Sequence, residues 1–385
     1  MRIITSTSEL EEFCEYAGQF PFIAVDTEFL RERTYFAILC LIQLAVPDSD
    51  EKSPVVIDPV EGNVDLAPLF RLLADSRIVK VFHAGRQDLE IFYRLGGVLP
   101  VPLFDTQVAA MVCGFGDQVG YEKLVKTVAG GRLDKSMRIS DWRTRPLSQS
   151  QLNYAVSDVT FLRKIFSVLS DELHASGRSS WLDEEMEILL DPETYNVDPK
   201  EAWKKIKISS YNRDYLAILR ELAELREVEA MKRDKPKSQI IRDEALQEIA
   251  GMRPRTLEQL YKSRFLRREF GKKSEFAKNL LDAVLRGINC RANERPIATP
   301  IKNQNVNESV LELLRVLLKA KSKQNRVAER LIASAADLRE IASGSTTCKA
   351  TKGWRYEVFG ADALRVARGE LALATSNSEI SLVKI

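Results

Sequence analysis

Short apolar, β-branched runs alternate with amphipathic stretches through residues 1–170, and the alternation then stops. Phe22–Val25, Leu39–Ala45, Val55–Ile57 and Ile78–Phe82 have the length and composition of buried strands. Between them, Leu66–Leu73 and Leu89–Leu95 space their apolar positions as amphipathic helices do. The first connections are short enough for a meander and the later ones hold helices, which predicts an α/β fold with a mixed sheet flanked by helices. From Ser148 the period becomes helical over Gln149–Leu173, Tyr211–Met231, Arg242–Ala250, Thr256–Tyr261, Ser274–Arg286, Glu308–Ala320 and Gln324–Ala333. Breaks at Asp191-Pro192, Asp198-Pro199, Lys235-Pro236 and the stretch 294–300 divide the rest of the chain. The expected organisation is an α/β domain over 1–170, a helical linker over 171–206, an all-α domain over 207–295 and a second helical block over 302–385. Thr375–Ile385 carries little pattern and reads as a mobile tail.

Charge adds to this picture. Lys+Arg number 57 and Asp+Glu 55, a net +2 that hides a steep asymmetry. Residues 1–229 carry 26 basic and 37 acidic side chains (−11), 230–295 carry 17 and 9 (+8), and 296–385 carry 14 and 9 (+5). A basic back half suits a polyanionic partner, while the front half concentrates carboxylates. No apolar run approaches the roughly 18–20 residues that span a bilayer, so no membrane association is expected. The N-terminus turns acidic at Glu9, Glu11 and Glu12, where a secretory signal would be apolar. Five scattered cysteines without a Cys-x-x-Cys pair fit a reducing compartment and give neither a disulfide framework nor a zinc site. A cytoplasmic protein is expected.

Three groups of acids stand out. Asp26-Thr27-Glu28 closes the first predicted strand, and residues two apart on a strand share a face, so both carboxylates project together. Such a pair is costly unless a cation resolves its repulsion, although alone it reads as two solvated acids. Asp88 follows a strand that breaks at His83-Ala84-Gly85, where a helix-opening charge is the ordinary explanation. Tyr154 and Asp158 are i and i+4 on a periodic helix and therefore share a face. Four carboxylates without a Cys or His cluster suit a hard cation, Mg²⁺ or Mn²⁺. Competing sites are missing: there is no phosphate-binding P-loop, Gly114, Gly116 and Gly120 have the wrong spacing for a dinucleotide fingerprint, and only His83 and His174 could serve a nucleophilic triad.

Together, Asp26-x-Glu28, His83-Ala84-Gly85-x-x-Asp88 and Tyr154-x-x-x-Asp158 resemble the DEDDy 3′–5′ exonuclease superfamily, and within it ribonuclease D. The flanks Phe104-Asp105-Thr106-Gln107, Gly120-Tyr121-Glu122-Lys123-Leu124 and Ser140-Asp141-Trp142-Arg143-Thr144-Arg145-Pro146-Leu147 carry the same likeness. The resemblance spans residues 20–165 and implies an RNase H-like fold that removes nucleotides from RNA 3′ ends, tRNA precursors among them. It also implies catalysis by Asp26, Glu28, Asp88, Tyr154 and Asp158, the four acids holding two divalent cations per active site. Hydrolysis with two such cations would release 5′-nucleoside monophosphates. Asp105 is read as a cap for a helix over Gln107–Val112, with contact to the site as the alternative.

Residues 207–290 resemble the HRDC domain (helicase and RNase D C-terminal), through the Arg-rich stretch Arg213–Arg226, the break at Asp234-Lys235-Pro236 and Asp243-Glu244-Ala245-Leu246 opening a helix. Lys232, Arg233, Lys235, Arg253, Arg255, Arg267 and Arg268 are the candidate phosphate contacts, which would give affinity rather than base specificity. The family implies that 302–385 is a second HRDC-like copy and that the protein is a monomer. Two alternatives stay open on residues alone: a 3′–5′ DNA exonuclease, and a non-catalytic nucleic-acid-binding adaptor.

Overall fold

The structure, a computed structural model, describes residues 2–47, 53–134, 136–137, 140–266, 275–298, 306–377 and 379–385. It contains two compact units, one of Met1–Glu28, Leu39–Pro192 and Gln304–Ile385, the other of Phe29–Ile38 and Glu193–Asn303. No helix among the described residues is long and apolar enough to cross a membrane.

The first unit is built on a six-stranded sheet of β1 (Arg2–Ile4), β2 (Phe22–Leu30), β3 (Ile38–Ala45), β4 (Val55–Ile57), β5 (Val79–Phe82) and β6 (Leu103–Asp105), in the order β1-β4-β3-β2-β5-β6. β1 runs parallel to β4, β4 antiparallel to β3, and β5 parallel to both β2 and β6. The mixed sheet follows the expectation, and β2, β3 and β4, joined by short connections, are successive neighbours in it as a meander requires; β1, too short to stand out in the sequence, adds in parallel beyond β4 at the edge. Ile23, Ala24, Val25, Leu41, Ile42 and Leu44 are fully buried, as their unbroken apolar runs demand of strands covered on both faces.

Helices α1 (Thr7–Ala17), α2 (Ala67–Ala74), α3 (Arg86–Gly96), α4 (Thr106–Val112), α5 (Tyr121–Leu124), α6 (Gln149–Ala175) and α7 (Ser179–Leu189) complete the N-terminal part of this unit. The most consequential is α6. Ser148 caps it in a reciprocal box with Gln151, and 27 residues give it a length of about 40 Å. Its stripe Leu152, Ala155, Val159, Leu162, Ile165, Leu169 and Leu173 is buried. Phe166 packs 4.4 Å from the Phe22 ring and 4.8 Å from the Phe104 ring, which pins the helix across β2 and β6. A second tie joins the end of β4 to the loop before α6. Arg145 reaches Asp58 through Nε at 2.5 Å and Nη2 at 2.6 Å, and also donates to the Cys40 and Trp142 carbonyls.

The C-terminal residues of this unit form helices Glu308–Asn325, Glu329–Ile332 and Ala335–Ala342, further short helical turns and a hairpin of β7 (Leu371–Ser376) and β8 (Glu379–Lys384). Two expectations are corrected here. Thr375–Ile385 is half of a hairpin rather than a loose tail; its six-residue strands are stabilised by pairing that no local pattern announces. The helix expected over Gln324–Ala333 is split by Arg326 at φ 49°, and only one turn follows it. Arg355 anchors this block to α7 through Glu184 and Glu185, and Trp181 stacks on Trp354 at 4.5 Å.

In the second unit, α8 (Arg213–Arg233) is the spine of an all-α core that includes Leu216, Leu219, Leu222, Leu246, Leu280 and Val284. A Cβ on Gly287 would sit 2.5 Å from Ile218 Cα, so glycine allows helix Glu275–Asn289 to approach α8 this closely. Buried Arg226 pairs with Asp243 at 2.5 Å, tying α8 to helix Asp243–Met252. The same local plan recurs 92 positions later. Asp234 and Arg326 both end a long helix with φ near 48°, one-turn helices Lys237–Ile240 and Glu329–Ile332 follow, and Ile241 and Ala333 terminate them in extended conformation. Leu222 and Leu314, Ile240 and Ile332, Leu246 and Leu338, and Ile249 and Ile341 are the matching buried pairs.

Replacing Asp58 by Ala leaves the Arg145 guanidinium largely buried without its anion, which typically costs about 3–5 kcal/mol. Urea unfolding of Asp58→Ala should show a lower midpoint, whereas an unchanged midpoint would deny the pair its structural role.

Candidate active site

The acids singled out in the sequence converge. Asp26 and Glu28 leave the same face of β2, and α6, pinned over the sheet by Phe166, adds Asp158. One carboxylate oxygen from each of these three residues lies within 4.8 Å of the others. Asp88 sits buried in the first turn of α3 and accepts the hydroxyl of Thr27, the residue between Asp26 and Glu28. It adjoins the trio without joining its tight cluster of oxygens.

The junction that delivers Asp88 is stiff. Ala84 takes φ 54°, and a Cβ on Gly85 would meet Phe82 Cβ at 2.6 Å. Asp105 splints the turn, accepting from Ala84 N at 3.1 Å and Gly85 N at 2.8 Å, while capping α4 through Gln107 N at 2.8 Å and Val108 N at 3.3 Å. Its role is therefore the cap expected of it, extended to the neighbouring turn.

Tyr154, one turn before Asp158, hydrogen-bonds to the Asp158 carboxyl, and Trp142 packs 6.0 Å from its ring. Tyr121 donates its hydroxyl to the Asp158 carbonyl. His83 Nδ1 lies 3.0 Å from Thr106 Oγ1, which itself donates to the Phe82 carbonyl at 3.0 Å. Thr106 can then only accept from His83, which puts the proton of a neutral ring on Nδ1. His83, Gly120, Tyr121, Glu122, Lys123, Leu133, Tyr154 and Asp158 line a cleft of about 390 Å³. Thr27, Tyr121 and Thr106 are contributions that the sequence reading gave no role. Only Thr27 had a local signal, its position between two same-face acids.

Burial raises all four of these carboxyls, and repulsion among them adds to it at Asp26 and Glu28. Asp26 is pushed well above the usual range by burial, then by Asp158, Asp88 and Glu28. Glu28 rises to about 8 through burial and the charges of Asp158 and Asp88. Asp88 and Asp158 each rise to about 7, mainly through burial, with the Thr27 and Tyr154 hydroxyls pulling the other way. Tyr154 is raised by burial and by the surrounding acids, so its phenol keeps its proton at neutral pH. A cation relieves all of these penalties at once, and an all-oxygen donor set fits a hard divalent ion.

Among the candidate phosphate contacts, Lys232, Lys235 and Arg255 are exposed and hold no acid partner among the described residues. Arg233 is paired with Glu229 at 2.5 Å and lies over the Phe276 ring, and Arg253 reaches Asp214 at 3.3 Å. Arg267 and Arg268 lie outside the described residues.

The raised carboxyls set a sign for pH dependence. Between about pH 4.5 and 8 the folded, metal-free protein binds more protons at Glu28, Asp88 and Asp158 than the unfolded chain does, so stability falls as pH rises. His83, lowered by burial, opposes this with a single proton, and Asp75, held near 2 by Arg77, titrates below the window. The melting temperature in EDTA should therefore drop from pH 5 to pH 8, and Mg²⁺ should restore more of it at pH 8 than at pH 5. Equal melting at both pH values in EDTA would refute the crowded-acid description.

Comparison with known proteins agrees with this geometry. A family described as 3′-5′ exonuclease matches residues 1–174, and the HRDC domain matches 215–282. The chain is 49% identical to a ribonuclease D of Jannaschia sp. (strain CCS1) over 383 residues, 99% of each chain. It is 42% identical to a ribonuclease D of Nitrobacter hamburgensis over the whole of both chains. The crystal structure of Escherichia coli RNase D, an exoribonuclease involved in structured RNA processing, superposes with a TM-score of 0.82 at 30% identity, covering 96% of this chain and 98% of that one. The chain belongs to the ribonuclease D family of 3′–5′ exoribonucleases.

Proposed function

We propose that the protein trims the 3′ ends of structured RNA such as tRNA precursors, releasing 5′-nucleoside monophosphates, with Asp26, Glu28, Asp88 and Asp158 holding two divalent cations, Mg²⁺ or Mn²⁺. The observation that carries this is the convergence of Asp26, Glu28 and Asp158 to within 4.8 Å, beside a tyrosine bonded to Asp158. The role of the Escherichia coli relative in structured RNA processing supports the substrate class. When bound, the cations polarise the phosphodiester and lower the pKa of the attacking water.

The chain's own groups have distinct tasks. Asp26 and Glu28 on β2 and Asp158 on α6 would hold the cations, with Asp88 beside them helping, and the cations would offset the charge that these acids crowd together. Tyr154 spends its proton on Asp158, which leaves its oxygen lone pairs to accept from water and orient it. With its pKa raised, the phenol is a positioning group and not the base that removes the proton. The water oxygen would form the new bond to phosphorus as its proton passes to solvent, the P–O3′ bond would break, and the 3′-oxygen would take a proton from solvent, so the shortened RNA leaves with a 3′-hydroxyl.

For the remainder of the chain, we read a nuclease domain over 1–170, a helical linker over 171–206 and an HRDC domain over 207–295. Residues 302–385 are a second HRDC-like block, supported by the local plan repeated 92 positions apart. Lys232, Lys235 and Arg255 stand ready for phosphate contacts, with Arg233 and Arg253 needing release from their acid partners first. That none of the five cysteines is held in a disulfide supports a cytoplasmic location, and the protein is proposed to act as a monomer.

The test is nucleotide release from a 3′-extended tRNA with Mg²⁺, Mn²⁺ or EDTA. The wild type should release 5′-monophosphates only with metal, Asp158→Asn should be inactive, and Tyr154→Phe, which loses only a positioning contact, should lose about 10²-fold in kcat. Release in EDTA, or full activity of Asp158→Asn, would overturn the reading.

A further inference from the structure

A basic pocket of about 990 Å³ lies within the larger unit, between the loop after α4 and the helix Glu308–Asn325. Arg315, Lys319, Lys323, Arg326 and Arg330 line it, all exposed, against two acids, Asp117 and Glu329. Arg315 pairs with Glu312 on its own helix, and Lys323 lies 3.8 Å from exposed Glu379. Lys319, Arg326 and Arg330 have no acid partner among the described residues. Lys321 on the same helix does not line the pocket and is paired with Asp362 at 2.5 Å, whereas three of the five cations that face the cavity have no acid partner among the described residues.

The cations stand on a rigid frame. Arg178 donates to the Asn325 carbonyl at 2.6 Å, to the Arg326 carbonyl at 3.3 Å and to the Val112 carbonyl at 3.1 Å. Ala328 N donates to the Met111 carbonyl at 3.0 Å. Gly114, at φ 83°, lies so close that a Cβ there would be 2.5 Å from the Arg326 carbonyl oxygen. Nuclease loop and C-terminal helix therefore form one wall, and like charges are held together by main-chain bonds.

Two features select a polynucleotide strand as the occupant. Arg315, Lys319 and Lys323 recur every four residues, a ladder with steps of about 6 Å that suits a run of phosphates better than one small anion. The segment from Gly114 to Lys123 also walls both cavities: Gly114, Gly116 and Asp117 face the basic pocket, while Gly120, Tyr121, Glu122 and Lys123 face the cleft of Tyr154 and Asp158. Lys123 Nζ reaches back to the Phe115 carbonyl at 3.5 Å, bracing the segment.

We propose that this pocket grips the phosphodiester backbone of the RNA upstream of the 3′ end being removed, and so holds the strand while its terminus enters the cleft. The inference rests on the exoribonuclease reading, and adds a phosphate-binding site outside the HRDC match at 215–282.

The test is RNA binding by full-length Lys319→Glu/Arg330→Glu, beside Lys319→Gln/Arg330→Gln in case the charge reversals disturb folding. The probe is a single-stranded RNA of about 20 nucleotides, longer than the roughly 4–16 that one single-strand module covers. Dissociation constants are measured in EDTA across a salt series. The Glu pair should bind at least about 10-fold more weakly than wild type, the Gln pair should be intermediate, and loss of two contacts should reduce the salt slope by about 1.4. Wild-type affinity and slope in both variants, with unchanged melting temperatures, would overturn the proposal. Nucleotide release by the wild type is assayed in parallel with Mg²⁺. Failure there overturns the exoribonuclease reading, while the binding comparison in EDTA still decides the pocket.

Discussion

The structure turns on the forced approach of like charges. Three carboxylates whose oxygens lie within 4.8 Å, with a fourth buried beside them, cannot all ionise in a half-buried setting without a compensating cation. The fold accepts this because each acid is fixed by something other than electrostatics. The β2 pleat fixes Asp26 and Glu28, the Asp105 splint fixes the turn before Asp88, and the aromatic contacts of Phe166 fix the helix that carries Asp158. A site preorganised in this way spends little on rearrangement when its cations arrive.

The surrounding polar groups hold individual protons and atoms in place. Thr27 and Tyr154 each give a hydroxyl proton to one of the acids, moderating the rise of Asp88 and Asp158 that burial imposes. Thr106 sets the tautomer of His83, and Tyr121 bonds to the Asp158 main chain rather than to its carboxyl. The cleft thus presents a defined set of donors and acceptors. A cationic frame one loop away is placed to manage the rest of a polyanion that the acids alone would repel.

Much of this was legible in the sequence where geometry is local. The two-residue period of a strand was enough to predict that Asp26 and Glu28 share a face, and the four-residue period of a helix did the same for Tyr154 and Asp158. Arg226 and Asp243, both within the HRDC-like stretch, turned out to be an ion pair. What stayed hidden depends on partners distant in the chain. Thr27 meets Asp88 across 61 positions and Asp58 meets Arg145 across 87. The β7–β8 hairpin went unseen because its strands are short and stabilised by each other. The basic pocket exists only because Gly114 and Arg326 are brought together by tertiary packing.

The central claim is that the acid cluster is a proton-loaded cation site. It is tested most directly by titrating Mg²⁺ into the metal-free protein calorimetrically, near pH 7, in buffers of different ionisation enthalpy. Because Glu28, Asp88 and Asp158 titrate at about 7 to 8, binding should expel protons into the buffer, and Asp26→Asn should abolish both binding and release. Binding with no proton release, or release unchanged in Asp26→Asn, would contradict the account.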